Sequence, residues 1–360
     1  MIASFRTNVN VRKIINYAIL ERMSIYIAID IGGTRMRAAA FPSDGFDPLR
    51  IKLPSQGSDC SDEVFHRRAD GTRYRIKKIP SQKSGTTPQE RLIELIDSVA
   101  PESESITAIG VAAPGPLDPQ AGVVFTAPNI PAFKNFPIVD YLGKHFQVPI
   151  SLDNDANLAA VGEWKAGAGK GYNNLIYLTI STGIGGGIIT DGKLLHGASG
   201  IAAELGHVTI LPDGPVCGCG HRGHIEAIAS GTGIARWVQK EISQGAQSSL
   251  SKTKDISAKN IAAAAKQGDK LAKAAFERAG YFLGLTLTNL LHIFNPSIVI
   301  FGGGVSQSGE LLLDPVKRCI QKNVFTPKYL ENLTITTASL GDDAGLIGAL
   351  ILARNISKQI

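Results

Sequence analysis

Ile25-Tyr26-Ile27-Ala28-Ile29-Asp30-Ile31-Gly32-Gly33-Thr34 sets a β-branched run directly against a pair of glycines. Such a run reads as a strand, and Asp30 to Thr34 as the tight turn that ends it. The same pattern returns twice. Leu175 to Ile180 is a strand followed by Ser181-Thr182-Gly183-Ile184-Gly185-Gly186-Gly187, and Ser297 to Phe301 is a strand ending in Gly302-Gly303-Gly304. Two more strands, Ile106 to Val111 and Val148 to Leu152, run into Ala113-Pro114-Gly115-Pro116 and Asp153-Asn154-Asp155-Ala156-Asn157. Thr87-Pro88-Gln89-Glu90 opens a helix with a capping box and proline at the first helical position. A further helix runs on from the Asp153–Asn157 cluster through Trp164, and helical patterns fill most of 231–292. Ile335 to Ala338 is expected as the last strand and Asp342 to Ala353 as the opening of the final helix. Strands alternating with helices specify an α/β protein. In such proteins ligands bind at loops beyond the strand ends.

A glycine turn after a strand lets backbone N–H groups approach phosphate oxygens with no side chain in the way. Each of the three turns taken singly fits simple strand-to-helix geometry, and none is a Walker loop or a clean dinucleotide fingerprint. Three together, with Asp30 in front of the first, favour phosphate contact. Asp30 is placed to hold Mg2+ directly or through water, as phosphoryl transfer requires. Asp153, Asn154, Asp155 and Asn157 crowd one strand end, where a carboxylate can take a proton from an attacking hydroxyl. Asn154 offers a donor and an acceptor to a sugar hydroxyl. The alternative is an Asx-rich helix cap, with Asn157 or Asp153 as the residue that only caps.

Residues 204–226 run from Glu204-Leu-Gly-His207 to Cys217-Gly-Cys219-Gly-His221-Arg-Gly-His224-Ile-Glu226. Thiolate and imidazole are the ligands zinc prefers, and His207, Cys217, Cys219 and His224 would complete a closed tetrahedral site. The spacing is not that of a zinc finger. A cysteine pair in a core turn with surface histidines is the competing reading.

The chain has 360 residues, enough for two domains, with 44% hydrophobic and 19% charged residues, the composition of an ordinary soluble protein. No apolar run reaches the ~20 residues that span a bilayer. Four cysteines do not make a disulfide framework, and Cys60 and Cys319 read as free thiols of a reducing compartment. Half of the net charge of +6 comes from Arg6, Arg12, Lys13 and Arg22 against Glu21, so no basic stripe remains to suggest nucleic acid. The segment 1–22 lacks a secretory cleavage site and is expected to be disordered or dispensable, with Met23 as an alternative start. Residues 42–86 are polar and hold a near-repeat: Arg50-Ile-Lys-Leu-Pro-Ser-Gln56 returns as Arg75-Ile-Lys-Lys-Ile-Pro-Ser-Gln82. A hairpin of two short strands and a duplicated surface loop both fit.

Taken together these motifs resemble the ROK family of sugar kinases and sugar-responsive repressors. Asp-Ile-Gly-Gly-Thr at 30–34, Ala113-Pro-Gly-Pro116, Ala127-Pro128-Asn129, Asp-Asn-Asp-Ala-Asn at 153–157, Ser-Thr-Gly-Ile-Gly-Gly-Gly at 181–187, Glu-Leu-Gly-His at 204–207, Cys-Gly-Cys-Gly at 217–220 and Phe-Gly-Gly-Gly-Val at 301–305 follow the family's order. The resemblance covers Met23 to the C-terminus, apart from the 42–86 insertion. It implies a two-lobed actin-like ATPase fold of the ribonuclease H type with a zinc-stabilised loop. The lobes are expected at 23–150 and 151–343, with a final helix at 344–360 packing back on the first.

The resemblance also implies an ATP-dependent kinase acting on a hexose 6-hydroxyl, with Asp155 as general base. Asn129, Asn154, Glu204, His207 and Glu226 match sugar-binding positions. Asp30, Gly32, Gly33 and Thr34 match the first phosphate motif, Thr182 and Gly183 the second, and Gly303 and Gly304 the nucleoside end. Structural zinc would be held by His207, Cys217, Cys219 and His224, where the family more often has a third cysteine at 224; His221 is a substitute ligand. Mg2+ at Asp30, a homodimer or homotetramer, a cytoplasmic location, and no nucleic-acid or membrane partner complete the expectation. Glucose is the expected sugar, with N-acetylmannosamine, other N-acetylhexosamines, mannose or fructose next. A polyphosphate-dependent kinase fits less well, since the complete zinc segment matches the ATP users. A repressor would need a helix-turn-helix domain, which 22 residues before Met23 cannot supply.

Overall fold

The computed structural model describes residues 24–43, 64–67, 73–100, 104–127 and 129–358. The segment 1–22, Cys60, Pro128 and the first copy of the near-repeat lie outside the described residues. The first sheet holds β1 (Ser24–Ile31), β2 (Arg35–Pro42), β3 (Val64–Arg67), β4 (Arg73–Pro80), β5 (Ser105–Ala113) and, beyond the short pair β6 (Leu117–Asp118) and β7 (Val123–Val124), β8 (Ile150–Asn154). Its order is β3-β4-β2-β1-β5-β8, antiparallel up to β1 and parallel from β1 through β5 to β8. Its helices are α1 (Pro88–Val99), α2 (Ile138–Phe146) and α3 (Asp155–Ala166). The capping box at Thr87 is present, with both reciprocal bonds to Glu90.

The second sheet repeats the plan. It holds β9 (Leu175–Ile180), β10 (Ile184–Thr190), β11 (Lys193–Leu194), β12 (Ile298–Gly302) and β13 (Thr334–Thr337), in the order β11-β10-β9-β12-β13. Here too an antiparallel meander leads to a central first strand, and two parallel strands follow it. The second lobe adds α4 (Ile225–Ala229), α5 (Gly231–Ser243), α6 (Ala258–Lys266), α7 (Lys270–Phe294) and α8 (Glu310–Asn323), and α9 (Ala344–Ser357) closes the chain. The shared topology puts the first two glycine turns at equivalent points, between the first and second strand of each sheet.

Both of those turns are therefore hairpin turns. The strand-to-helix geometry expected of each one singly is wrong for the first two. Gly32 N–H donates to the Arg35 carbonyl at 2.9 Å, and β2 returns antiparallel with Arg37 opposite Asp30. Ala38, Ala39 and Ala40 are buried in β2 from both faces: Ala39 packs with Leu346, Ile347 and Leu350 of α9, and Ala38 and Ala40 with Leu92, Leu95 and Ile96 of α1. Large side chains on both partners would not fit. Glycines 185 and 187 in β10 serve the same end: a Cβ on Gly187 would stand 2.6 Å from the Ala160 methyl of α3.

α3 and α9 lie between the sheets, so the site at the start of α3 is fixed from both lobes. Glu163 on α3 is fully buried. Its carboxylate accepts from Ala168 N–H (2.8 Å), Leu340 N–H (2.7 Å), and the N–H and hydroxyl of Ser339 (both 3.2 Å), which ties α3 to the loop after β13. A buried carboxylate is tolerated only with such a set of donors.

Candidate active site

β8 hands its chain directly to α3, and the change from extended to helical backbone falls between Asn154 and Asp155. Asn154 is the helix cap: its Oδ1 accepts from Ala156 N–H at 2.9 Å and Asn157 N–H at 3.2 Å. The expectation that Asn157 or Asp153 does the capping is thus corrected. Those two bind each other, Asn157 Nδ2 to Asp153 Oδ1 at 3.1 Å, and Oδ1 of Asp153 also takes Asn154 N–H at 2.7 Å. With its oxygen committed to the helix, Asn154 keeps its NH2 as a donor for a ligand. Asp153 completes its bonds through Oδ2, 2.7 Å from His196 Nε2, and this contact raises the His196 imidazole pKa against the opposing effect of burial.

Asp155 follows as the first helical residue. Burial is the main cause that lifts its carboxyl to about 7, with the negative charges of Asp30 and Glu204 adding to it and the Ala156 N–H opposing. Burial also raises Glu204, with Glu226 reinforcing and His207 opposing. A carboxyl that titrates near neutrality inside a cleft is the form a general base takes.

Asp155 opens into a cavity of about 710 Å³ between the lobes. The first sheet's turns and loops supply Gly33, Thr34 and Asn129 to its wall, the junction of β8 and α3 supplies Asn154 and Asp155, and the second lobe supplies Thr182, Gly183, Glu204 and Glu226. A second cavity of about 870 Å³ shares Ser181 and Thr182 with the first and extends past Gly231, Lys259, Phe276 and Gly304. Nine of the expected residues therefore meet in one cleft, and Gly304 lies in the adjoining one. Gly32, Gly303, Asp30 and His207 do not line either cavity. Gly303 has φ +79° and abuts the Ile180 carbonyl, so it is the turn itself that needs glycine there. Asp30 is ion-paired: Arg37 Nη2 bonds its Oδ2 at 2.6 Å, while Nη1 reaches Asp343 at 3.0 Å and Nη2 also meets the Asp342 carbonyl. Glu226 faces the cavity with both oxygens engaged, Oε2 by Ile184 N–H at 3.0 Å and Oε1 by Cys217 Sγ at 3.3 Å.

Sequence reading missed the support behind the first glycine turn. Ser81, fully buried, donates its hydroxyl to the Gly32 carbonyl at 2.6 Å and its N–H to the Thr34 carbonyl at 2.9 Å. Gln82 Nε2 donates to the Asn129 carbonyl at 2.9 Å. The only available signal was the repeated Pro-Ser-Gln at 80–82. The walls of the second cavity from α5 and α6 carried no motif at all.

The side-chain ligand atoms of His207, Cys217, Cys219 and His224 all lie within 4.8 Å of one another. In a tetrahedron built on zinc's usual bond lengths, two nitrogens stand about 3.3 Å apart and a nitrogen about 3.5 Å from a sulfur. Here His207 Nδ1 is 3.2 Å from His224 Nδ1 and 3.8 Å from Cys217 Sγ, and Cys219 Sγ is 3.3 Å from His224 Nδ1. Both imidazoles present Nδ1, so the residues fit a closed two-Cys, two-His site. Cys219 helps further: although burial works against it, bonds from the His221 backbone and ring bring its thiol down to about 7, so thiolate is available at neutral pH. His221 Nδ1 stands outside the four, 3.6 Å from Cys219 Sγ.

The sequence matches the ROK family over residues 66–356. It is 33% identical over 328 residues to a glucokinase of Halalkalibacterium halodurans, covering 90% of this chain and 93% of that protein. A Thermotoga maritima glucokinase is 34% identical over 327 residues, covering 90% and 95%. Among solved structures, a ROK family glucokinase from Streptomyces griseus in complex with glucose and AMPPNP superposes with a TM-score of 0.73 at 32% identity, covering 92% of this chain and 99% of that one. The two repeated sheets with their intervening cleft are the two-lobed actin-like ATPase fold. The chain belongs to the ROK family.

Proposed function

We infer that the protein is an ATP-dependent hexose kinase that phosphorylates the sugar 6-hydroxyl, with glucose as its substrate. The observation that carries this reading is the placement of Asp155, a carboxylate titrating at about 7, in a cleft lined by glycine turns from both lobes. Asp155 accepts the hydroxyl proton as the oxygen attacks the γ-phosphorus. Asn129, the free NH2 of Asn154 and Glu204 line the same cavity and orient the sugar. Gly33, Thr34, Thr182 and Gly183 offer backbone N–H groups where phosphate oxygens would lie. The second cavity, reached through Ser181 and Thr182, takes the nucleoside. Asp30, whose Oδ2 is taken by Arg37, would hold Mg2+ or one of its waters through Oδ1, and the ion would supply neutralisation of phosphate charge.

Zinc at the two-Cys, two-His set would hold the loop that ends at Glu226, whose Oε2 braces Ile184 at the second glycine turn. The proposal extends to a cytoplasmic enzyme that forms a homodimer or homotetramer; Cys217, Cys219 and Cys319 form no disulfide, and no described helix is long and apolar enough to cross a membrane.

ADP release with Mg-ATP tests the reading against glucose, mannose, fructose, N-acetylglucosamine and N-acetylmannosamine. Glucose is expected to give the highest kcat/KM. Preference for an acetylated sugar would reassign the substrate, and no turnover on any of the five would overturn the kinase. The same assay reads the base. Below pH ~7 the carboxyl is protonated and cannot accept a proton, so kcat/KM for the sugar should fall about tenfold per pH unit. Above that value it should level off. A flat profile from pH 5 to 8 would remove Asp155 from the role.

A further inference from the structure

The segment 197–203, whose residues 200–203 line the cleft, is Gly-Ala-Ser-Gly-Ile-Ala-Ala, with almost nothing on its side chains to hold it in place. Yet its backbone is specific. Gly197 and Gly200 have φ +72° and +79°, and Ala203 has φ +65°, a conformation that residues with a Cβ rarely keep unless their surroundings impose it. Glu204 comes next, so the position of this carboxylate against Asp155 depends on how the segment is fastened. At its far end, Leu205–His207 forms a single helical turn that leads into the metal-ligand set. At its near end the fastening is His196. Its carbonyl accepts from Ala202 N–H at 3.1 Å, closing the segment into a loop, and its ring bonds Asp153 at 2.7 Å.

Asp153 is a fixed anchor. Its side chain is 4% exposed and its other oxygen is held by Asn154 and Asn157, on either side of the base. The His196 ring is 42% exposed and is joined to the base loop by this one bond. We propose that His196 is a positioning residue for the sugar: its bond to Asp153 sets the separation between Glu204 on one wall and Asn154 and Asp155 on the other. The role rests on the kinase reading above. His196 does not line the cavity and acts through the loop it holds.

Losing a hydrogen bond to a buried carboxylate should loosen the sugar wall and leave the nucleotide cavity alone. His196→Ala is expected to raise the sugar KM about tenfold, with kcat changed by less than about threefold. The KM for ATP should stay within about twofold, since the loop lies away from the nucleoside cavity. His196→Gln, whose amide N–H can still donate to Asp153, should recover most of the loss. Three results would each overturn the proposal: an unchanged sugar KM in His196→Ala, a parallel rise in the KM for ATP, or a glutamine variant as impaired as the alanine one. Calorimetric titration of the full-length protein with glucose separates this from the kinase reading. Wild-type protein that binds glucose without phosphorylating it would sink the kinase while leaving the His196 effect to be read in Kd. Wild-type protein that does neither with any of the five sugars overturns both.

Discussion

Asp155→Asn is expected to lower kcat for sugar phosphorylation about 10³-fold while the sugar Kd stays within about threefold. Asparagine has nearly the shape of aspartate and keeps an oxygen for a sugar hydroxyl, but it accepts no proton at neutral pH. The loss therefore falls on the chemical step. The variant should also fold well, because the native carboxyl is costly when charged. Its pKa of about 7 in the fold lies above the ~3.9 of an unfolded aspartate. Between those two values the folded state binds the proton more tightly, so stability declines as pH rises, and above pH ~7 the whole penalty is present. Removing that charge should leave the Tm at pH 8 a few degrees higher in the variant than in the wild type. Steady-state rates, glucose calorimetry and a thermal melt check all three points. Wild-type turnover by Asp155→Asn would dismiss the base, and lost glucose binding would recast it as a binding residue.

Loss of the metal set is expected to have the next largest effect. Cys217 is buried, lies at ligand distance from His207, and touches Glu226 through its sulfur. Serine in its place is a poor zinc ligand. Cys217→Ser should copurify with far less than one zinc per chain and melt at a lower temperature, since a closed site of this kind contributes to folding directly. The catalytic consequence travels by a short route. Glu226 would no longer be fixed against Ile184, and Glu204, three residues before His207, would lose its reference point. A displacement of about 1 Å at such groups costs on the order of 10²-fold in kcat/KM. Metal analysis alongside sugar kinetics decides the matter, and full activity in a metal-free protein would rule out a supporting role for the cluster.

Much of this architecture was legible as chemistry. Asp155, Asn154, Glu204 and the four soft ligands stand out by type and spacing, and the structure brings the four ligand atoms within 4.8 Å of one another. Less legible were the parts whose meaning depends on a distant partner. The alanines of β2 make sense only once both faces are covered, Ala38 and Ala40 by α1 and Ala39 by α9, some three hundred residues away. The Asx-rich cluster suggested Asn157 or Asp153 as the cap; in the fold those two bond each other and Asn154 caps the helix. The polar stretch read as an insertion includes β4, which pairs with β2 and leads to the Ser81 brace.

The sequence alone determined which side chains this protein has for chemistry and the order of strands that carries them, because strand runs, glycine turns and ligand spacing are local properties. Only the tertiary structure decided that two glycine turns are hairpins, that Asp30 is paired with Arg37, and that Glu226 is bonded on both oxygens. It alone raised Asp155 to about 7, since burial and the charges of Asp30 and Glu204 act through space between residues far apart in the chain. Distance, dielectric and hydrogen-bond partners are set by packing between the lobes, and packing is a property of the folded whole.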